Sequence, residues 1–185
     1  MKILALDSSG LVASVAVVEN DTLLAEYTVN YKKTHSQTLL PMLDEISNMT
    51  ELDLSTIDAI AVAGGPGSFT GLRIGSATAK GLGLALEKPL ISIPTTAAIA
   101  YNIWDTDKFV CPIMDARRNQ VYTGVYCYTD HRLDTVWEQD TMSIEALAEG
   151  LNCLDHEVIF LGDGVAVYRE KLEALLTIPF SFAPA

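Results

Sequence analysis

One order of predicted elements occurs twice along the chain. Near the amino terminus, the apolar strand KILAL ends at Asp7, turns tightly and is followed by a returning strand, residues 12–19. In the second half, the strand FVCPIMD ends at Asp115 and residues 121–129 return in the same way. Helices that alternate with apolar strands follow each hairpin, which predicts one α/β unit used twice.

The first half predicts an antiparallel meander followed by βα units. Two short turns join the strands 2–6, 12–19 and 23–30, and the continuous apolar run 57–64 is typical of a strand buried on both faces. This combination is typical of a ribonuclease-H-like half. Two such halves make up the two-lobed fold of the actin-like and sugar-kinase ATPases, which is the α/β fold that we expect.

A polar stretch divides the two predicted halves. WDTDK, at residues 104–108, interrupts the apolar pattern and carries three charged side chains. We therefore expect an amino-terminal lobe over residues 1–103 and a carboxy-terminal lobe over residues 109–185.

The composition favours a well-packed, acidic protein. Of the 185 residues, 49% are hydrophobic, and the formal net charge is −12. Affinity for nucleic acids comes largely from Lys and Arg, so we expect no direct binding of RNA or DNA and interpret Arg117 and Arg118 as solvated turn residues. The first apolar run is too short for a signal peptide, and no later stretch is long enough to span a membrane. The three cysteines are interpreted as free and buried, as in a reducing compartment. These features predict a cytoplasmic protein.

A glycine-rich loop lies at AVAGGPGSFTGLRIGSATAKG, residues 61–81, between a predicted strand and a predicted helix. A P-loop requires G-x-x-x-x-G-K-[ST], but Leu72 and Arg73 follow Gly71. A dinucleotide fingerprint requires G-x-G-x-x-G, and Thr70 stands where the third glycine is needed. The glycines are therefore interpreted as helix-contact residues rather than as a nucleotide loop.

Small residues form two stripes on the helix predicted at 70–86. Each glycine inside a helix costs about 1 kcal/mol relative to alanine, and small side chains allow another backbone to approach closely. One stripe is expected to lie on the chain's own sheet and the other to take a second helix; the alternative is that both pack internally. The first stripe is Gly71, Gly75, Ala79 and Gly83, and the second is Ala77, Gly81 and Ala85.

The helix before the glycine loop has a predicted start and an apolar face. Thr34 and Gln37 have the spacing of a capping box, and Pro41 is expected to kink the helix. Leu39 and Leu43 fall on the apolar face, which we interpret as part of a contact with a partner.

Polar groups at the first turn offer little chemistry. Asp7 and Ser8 are candidates for contact with a cofactor or a metal-bound water, and the alternative is that Asp7 closes the turn by accepting backbone N–H groups. A metal pair on a helix requires a second histidine four residues after His35, where Leu39 stands. We therefore predict no metal site, and no cofactor is expected.

Three segments together resemble the bacterial TsaB (YeaZ) family: HSQTLLPMLDEI, AVAGGPGSFTGLRIGSATAKGLGLAL and PIMDARRNQVYTGVY. The resemblance extends over nearly the whole chain and implies the two-lobed actin-like ATPase fold. It implies a non-catalytic subunit of the machinery that makes threonylcarbamoyladenosine next to the anticodon of tRNAs. The family's closing helix is not found after FSFAPA, where the sequence departs from the family.

The resemblance also implies partners. The chain is similar to a degenerate paralogue of the catalytic TsaD subunit, which carries a histidine pair of which only His35 stands here. The first two helices are implied to pair with that subunit or with a second copy of the chain, and a small P-loop ATPase of the TsaE type joins the assembly. The residues expected at the contact are Leu39, Leu43, Gly71, Gly75, Ala79 and Gly83.

Two other functions compete with this interpretation. The first is an active enzyme, either a kinase-like ATPase or an M22-type metalloprotease. The second is a homodimer that acts alone through the same helices. Metal-dependent hydrolysis would favour the first, and self-association without the catalytic subunit would favour the second.

Overall fold

The computed structural model describes residues 1–31 and 35–184, and these form two compact units that divide between Thr95 and Thr96. The first unit contains a five-stranded sheet with the order β3-β2-β1-β4-β5. β1 pairs antiparallel with β2 and parallel with β4, as the predicted meander and βα units require. The strands are β1 (Lys2–Asp7), β2 (Ala13–Glu19), β3 (Thr22–Val29), β4 (Ala59–Gly65) and β5 (Leu90–Pro94).

Two helices cover one face of the first sheet. They are α1 (Leu39–Thr50) and α2 (Phe69–Leu86). Successive side chains of a strand point to opposite faces, so the alternate residues Leu4 and Leu6 of β1 are buried in the same core as Val15 of β2. β4 is central and almost wholly buried, which confirms the prediction made from its continuous apolar run.

The second unit repeats this arrangement. Its sheet has the order β10-β9-β6-β7-β8, in which β6 pairs antiparallel with β7 and parallel with β9. The strands are β6 (Phe109–Arg117), β7 (Gln120–Thr129), β8 (Arg132–Ser143), β9 (Val158–Leu161) and β10 (Phe180–Phe182). The helices are α3 (Thr95–Ala100), which begins at the division, α4 (Ile144–Leu154) and α5 (Gly164–Leu175).

The two sheets have the same topology. Reading the second sheet from its other edge gives β8-β7-β6-β9-β10, which corresponds strand by strand to β3-β2-β1-β4-β5. This correspondence confirms that one α/β unit is used twice. The second core is built around Phe160, which is completely buried, and burying such a side chain contributes about 1.5–3 kcal/mol.

Helix α1 differs from its prediction at the amino-terminal end. It begins at Leu39, so Pro41 lies in the first turn, where a backbone N–H has no partner within the helix. The predicted kink at Pro41 is therefore unnecessary. A short 3-10 turn, His35–Gln37, precedes the helix, and the predicted capping residue Thr34 lies outside the described residues.

Three features of the second half were not anticipated. Strands β8 and β10 were not predicted. The division after Thr95 lies before the polar stretch at 104–108, since Ala100 packs with Val110 of the second sheet. Only Cys111 is buried among the cysteines, because Cys127 is half-buried and Cys153 is exposed.

Candidate functional site

The loop between β4 and α2 is shaped by backbone conformation and a helix cap. Gly65 has a φ of +110°, a conformation that side chains disfavour, and it precedes Pro66 through a cis peptide bond. Ser68 then caps α2, since its hydroxyl accepts a hydrogen bond from the Gly71 N–H at 3.2 Å. The loop thereby directs the first turn of α2 toward the turn between β1 and β2.

The β1–β2 turn packs directly against α2. The Ser8 hydroxyl donates a hydrogen bond to the Gly71 carbonyl oxygen at 2.9 Å, and the Ser68 N–H donates to the Ser9 carbonyl oxygen at 2.6 Å. A methyl group added at Gly71 would overlap the Ser8 carbonyl oxygen, and one added at Gly75 would lie 2.5 Å from the Ser8 hydroxyl oxygen. These two glycines therefore make room for the chain's own turn.

Asp7 and Ser8, the candidates for cofactor contact, are both engaged in structure. The Asp7 carboxylate accepts a hydrogen bond from the Ser9 N–H at 2.7 Å, which is the turn-closing alternative. Ser8 is 2% exposed, and its hydroxyl is already bonded to α2. The arrangement uses these polar groups to hold a turn.

The six residues predicted to contact a partner lie inside the first unit. Leu39 is 1% exposed, Leu43 is 4% exposed, and both belong to the core beneath α1. The stripe Gly71, Gly75, Ala79 and Gly83 is the buried face of α2. The structure therefore places these residues between the two helices and their own sheet, and not on an exposed surface of the first unit.

The opposite side of α2 is open to solvent. Phe69 is 69% exposed and Leu84 is 84% exposed, which is unusual for side chains of this size. The guanidinium carbon of Arg73 lies 3.8 Å from the centre of the Phe69 ring. The second predicted stripe, Ala77, Gly81 and Ala85, is also exposed.

We call one part of this side the exposed α2 face. It consists of Phe69, Arg73, Ser76, Ala77, Lys80 and Leu84, of which Ser76 is half-buried and the others are exposed. A concavity of about 350 Å³ lies along it, lined by Leu72 and all of these residues except Leu84. The large and charged members were missed from the sequence, although their spacing of three or four residues is the signal of a single helix face.

The region around His35 does not bring metal ligands together. A ring nitrogen of His35 lies 2.9 Å from the Gly10 carbonyl oxygen, and Leu39 is buried. Among residues 1–31 and 35–184, no group of three His, Cys, Asp or Glu side chains is placed to hold a metal ion. Within the same residues, no helix has the length and apolar character needed to cross a bilayer.

A second polar cluster lies where β6 ends. Asp115 accepts hydrogen bonds from the Arg117 N–H at 2.9 Å and from the Tyr168 hydroxyl at 3.1 Å, and its N–H donates to Asp163 at 3.2 Å. Burial raises the pKa of the Asp163 carboxyl, and the neighbouring Asp115 charge raises it further. Burial likewise raises the pKa of Tyr168. Tyr168 was not singled out from the sequence, because nothing local marks its contact with β6.

Comparisons with known proteins give a consistent result. Residues 22–183 match a family model described as TsaD: tRNA N6-adenosine threonylcarbamoyltransferase. A relative from Bacillus subtilis (strain 168), named tRNA threonylcarbamoyladenosine biosynthesis protein TsaB, is 35% identical over 176 residues, which cover 95% of this chain and 77% of the relative. The protein of the same name from Escherichia coli (strain K12) is 32% identical over 170 residues, which cover 89% of this chain and 72% of that protein.

Solved structures extend the similarity to the fold. The structure described as YeaZ from Pseudomonas aeruginosa is 29% identical, with a TM-score of 0.83 over 98% of this chain and 83% of that chain. The ROK hexokinase from Thermus thermophilus is 14% identical, with a TM-score of 0.53 over 100% of this chain and 93% of that chain. The second likeness concerns the fold alone. With the two five-stranded sheets, it confirms the predicted α/β fold of the actin-like ATPase class.

Proposed function

The chain belongs to the TsaB (YeaZ) family, and from this we propose that it is a non-catalytic subunit that supports tRNA threonylcarbamoyladenosine biosynthesis by binding the catalytic TsaD-type paralogue. The observation that carries the proposal is the exposed α2 face, where Phe69 and Leu84 are open to solvent although the opposite face of the helix is buried on its sheet. Large exposed apolar side chains that cluster on one surface mark protein contacts.

The proposed docking surface differs from the one predicted from the sequence. The buried stripe of α2 is fixed by Ser8 and the sheet, so it supplies rigidity rather than contact. The exposed small residues Ala77, Gly81 and Ala85 allow a partner helix to approach closely. On α1, Leu40 is 52% exposed and adds apolar area to the same proposed contact.

The proposed role assigns the chemistry to the partner. Ser8 and Asp7 close and seat the β1–β2 turn, and Leu39 occupies the core where the resemblance implies a metal-binding histidine in the catalytic paralogue. We further propose that a small P-loop ATPase of the TsaE type joins the complex, and that the assembly works in the cytoplasm. Self-association of this chain through the same face is the competing arrangement.

A steric substitution on the exposed α2 face tests the docking proposal. Ala77→Trp places a large ring at the centre of the face without touching the core, so folding is retained and co-purification with the catalytic subunit is lost. Ala166→Trp is the matched control, since Ala166 is an exposed helical alanine in the second unit. Circular dichroism checks the fold of both variants.

Besides co-purification, the effect of each variant on tRNA modification is measured. Cells that lack the endogenous TsaB are complemented with each variant, and threonylcarbamoyladenosine in their tRNA is measured by mass spectrometry. We expect the modification to fall with Ala77→Trp and to be retained with Ala166→Trp. An Ala77→Trp variant that still co-purifies with the catalytic subunit and restores the modification would refute the proposed docking surface.

A further inference from the structure

Along the exposed α2 face, the types of side chain follow the same order whether the helix is read from its amino end or from its carboxy end. Phe69 and Leu84 are the apolar ends, Arg73 and Lys80 lie about one turn further in, and the small residues Ser76 and Ala77 occupy the centre. Each of these pairs is centred on the peptide bond between Ser76 and Ala77. On an ideal helix with about 100° per residue, the six side chains fall within about 100° of one another.

This symmetry determines what happens if two copies meet. A two-fold axis that crosses the centre of the face sets α2 antiparallel to its copy. Each residue then faces the residue of the other copy that lies equally far on the opposite side of the centre. Phe69 of one copy meets Leu84 of the other, and the small centres allow close approach. Arg73, however, meets Lys80 of the other copy twice in the same contact. The shape of the face therefore suits self-pairing, whereas its charge opposes it.

The charge of α2 is opposite to that of the whole chain. The protein has a net charge of −12, but α2 contains no acidic residue, and its two charged side chains are the cations Arg73 and Lys80. Both are exposed, and they lie about 10 Å apart along the helix axis. A partner helix with carboxylates at two matching positions would pair with both cations.

We propose that Arg73 and Lys80 select the partner: they favour a helix with apolar ends, a small centre and two carboxylates about two turns apart over a second copy of this chain. The inference rests on the proposed docking role of α2 and adds the charge that the occupant must carry. Opposite charges across an interface favour the correct partner, and like charges placed face to face penalise the wrong one.

Helix α1 offers a contrary arrangement that the test must separate. Its exposed residues include the acids Asp44 and Glu45. A self-complex that set Asp44 of one copy against Arg73 of the other would be held by attraction. Salt distinguishes the two cases, because screening strengthens a contact between like charges and weakens one between opposite charges.

The first experiment needs only this chain. The double variant R73E/K80E is mixed with the wild type, and the dimerisation constants of each protein and of the mixture are measured by sedimentation equilibrium at low salt. In the antiparallel contact, cations of the wild type then face the introduced carboxylates at both positions. We expect the mixed dimer to be about fivefold tighter than either self-dimer, because two pairs of opposite charges replace two pairs of like charges.

A control and a second variant keep this result interpretable. R118E/R132E makes the same charge change at exposed positions of the second unit, and mixing it with the wild type is expected to give no gain. R73Q/K80Q removes the repulsion, so its self-dimer is expected to be tighter than that of the wild type. The proposal is overturned if the R73E/K80E mixture shows no gain, or if added salt weakens the wild-type self-dimer.

The second experiment adds the catalytic threonylcarbamoyltransferase subunit encoded by the same genome. Calorimetric titration at low and high salt is expected to show binding that weakens with salt and falls about tenfold or more with R73E/K80E. No binding by the wild type would refute the proposed function. The sedimentation experiment would still test, independently, whether Arg73 and Lys80 oppose self-association. Wild-type binding that R73E/K80E leaves unchanged would overturn the charge selection alone.

Discussion

The Ser8 hydroxyl donates a hydrogen bond to the carbonyl oxygen of Gly71 at 2.9 Å, across 63 positions of sequence. Ser8 belongs to the turn after β1, and Gly71 belongs to the first turn of α2. Because Gly71 has no side chain, the turn can approach the backbone of the helix closely. The glycines of the conspicuous loop-and-helix segment thus serve a contact within the first unit, and the exposed α2 face is left for other contacts.

The first prediction compares the free energy of unfolding after substitution of one glycine in each of the two stripes of small residues on α2. Gly71→Ala is expected to destabilise the protein by about 1–3 kcal/mol, because its methyl group would overlap the rigid Ser8 carbonyl. Gly81→Ala is expected to stabilise it by about 0.5–1 kcal/mol, since nothing lies within 4 Å and alanine is the better helix former. Urea denaturation of the two variants measures both free energies of unfolding. Equal effects of the two substitutions would contradict the assignment of buried and exposed stripes.

The second prediction concerns coupling between Ser8 and Gly75. Gly75→Ala alone is destabilising, because the added methyl group lies 2.5 Å from the Ser8 hydroxyl oxygen. Ser8→Ala removes that oxygen, so the double variant is expected to be more stable than the sum of the single effects by about 1 kcal/mol. Gly83→Ala is the matched control, because its methyl group would meet Leu90 instead. Additive effects for Ser8 and Gly75 in a double-mutant cycle would rule out the contact.

The third prediction compares the reactivity of a buried thiol, Cys111, with that of an exposed one, Cys153. Burial raises the pKa of Cys111 to about 12, and its sulfur lies 3.4 Å from the Thr123 hydroxyl oxygen inside the second core. The thiolate is the reactive form, so iodoacetamide at pH 8 is expected to modify exposed Cys153 first and Cys111 only after unfolding. Peptide mass spectrometry with and without urea gives the order. Modification of Cys111 in the native protein at the rate of Cys153 would show that this core opens readily.

The strands that the sequence predicted well are those whose side chains follow one simple pattern. β1 and β2 alternate between buried and half-buried residues, and β4 is apolar throughout, so their partners follow from the pattern alone. β8 was missed because its pairing with β7 shifts register at two places. These irregularities break the alternation of Leu133, Trp137 and Met142, and only the completed sheet shows that they belong to one strand.

The contact residues predicted on α2 lie on the face that the structure buries. Two stripes of small residues are visible in the sequence of α2, and spacing alone does not tell which one lies on the sheet. Ser8 decides it, because the β1–β2 turn reaches α2 beside Gly71 and Gly75. That contact joins segments far apart in sequence, so no local pattern contains it. Exposed Phe69 and Leu84 lie on the other face, which is the one that we propose for docking.

The fourth prediction uses the polar cluster at the end of β6. Burial, together with the nearby charge of Asp115, raises the pKa of the Asp163 carboxyl above its usual value of 3.8. The folded protein therefore binds this proton more tightly than the unfolded chain does. The resulting stabilisation is complete below pH 3.8 and is lost as the pH rises through the folded-state pKa. At neutral pH the ionised Asp163 carboxylate therefore lowers the stability of the second unit.

Asp163→Asn is expected to remove that pH dependence. The amide oxygen can still accept the hydrogen bond from the Asp115 N–H, which the wild type makes at 3.2 Å, but the side chain no longer ionises. The free energy of unfolding of the variant, relative to wild type, should therefore rise between about pH 4 and pH 7. The rise should be small, because part of the Asp163 side chain remains exposed to solvent. Urea denaturation across this range measures it, and Asp155→Asn, which changes an acid at the end of α4, is the control. A difference between variant and wild type that stays constant with pH would show that Asp163 ionises in the folded protein as it does in the unfolded chain.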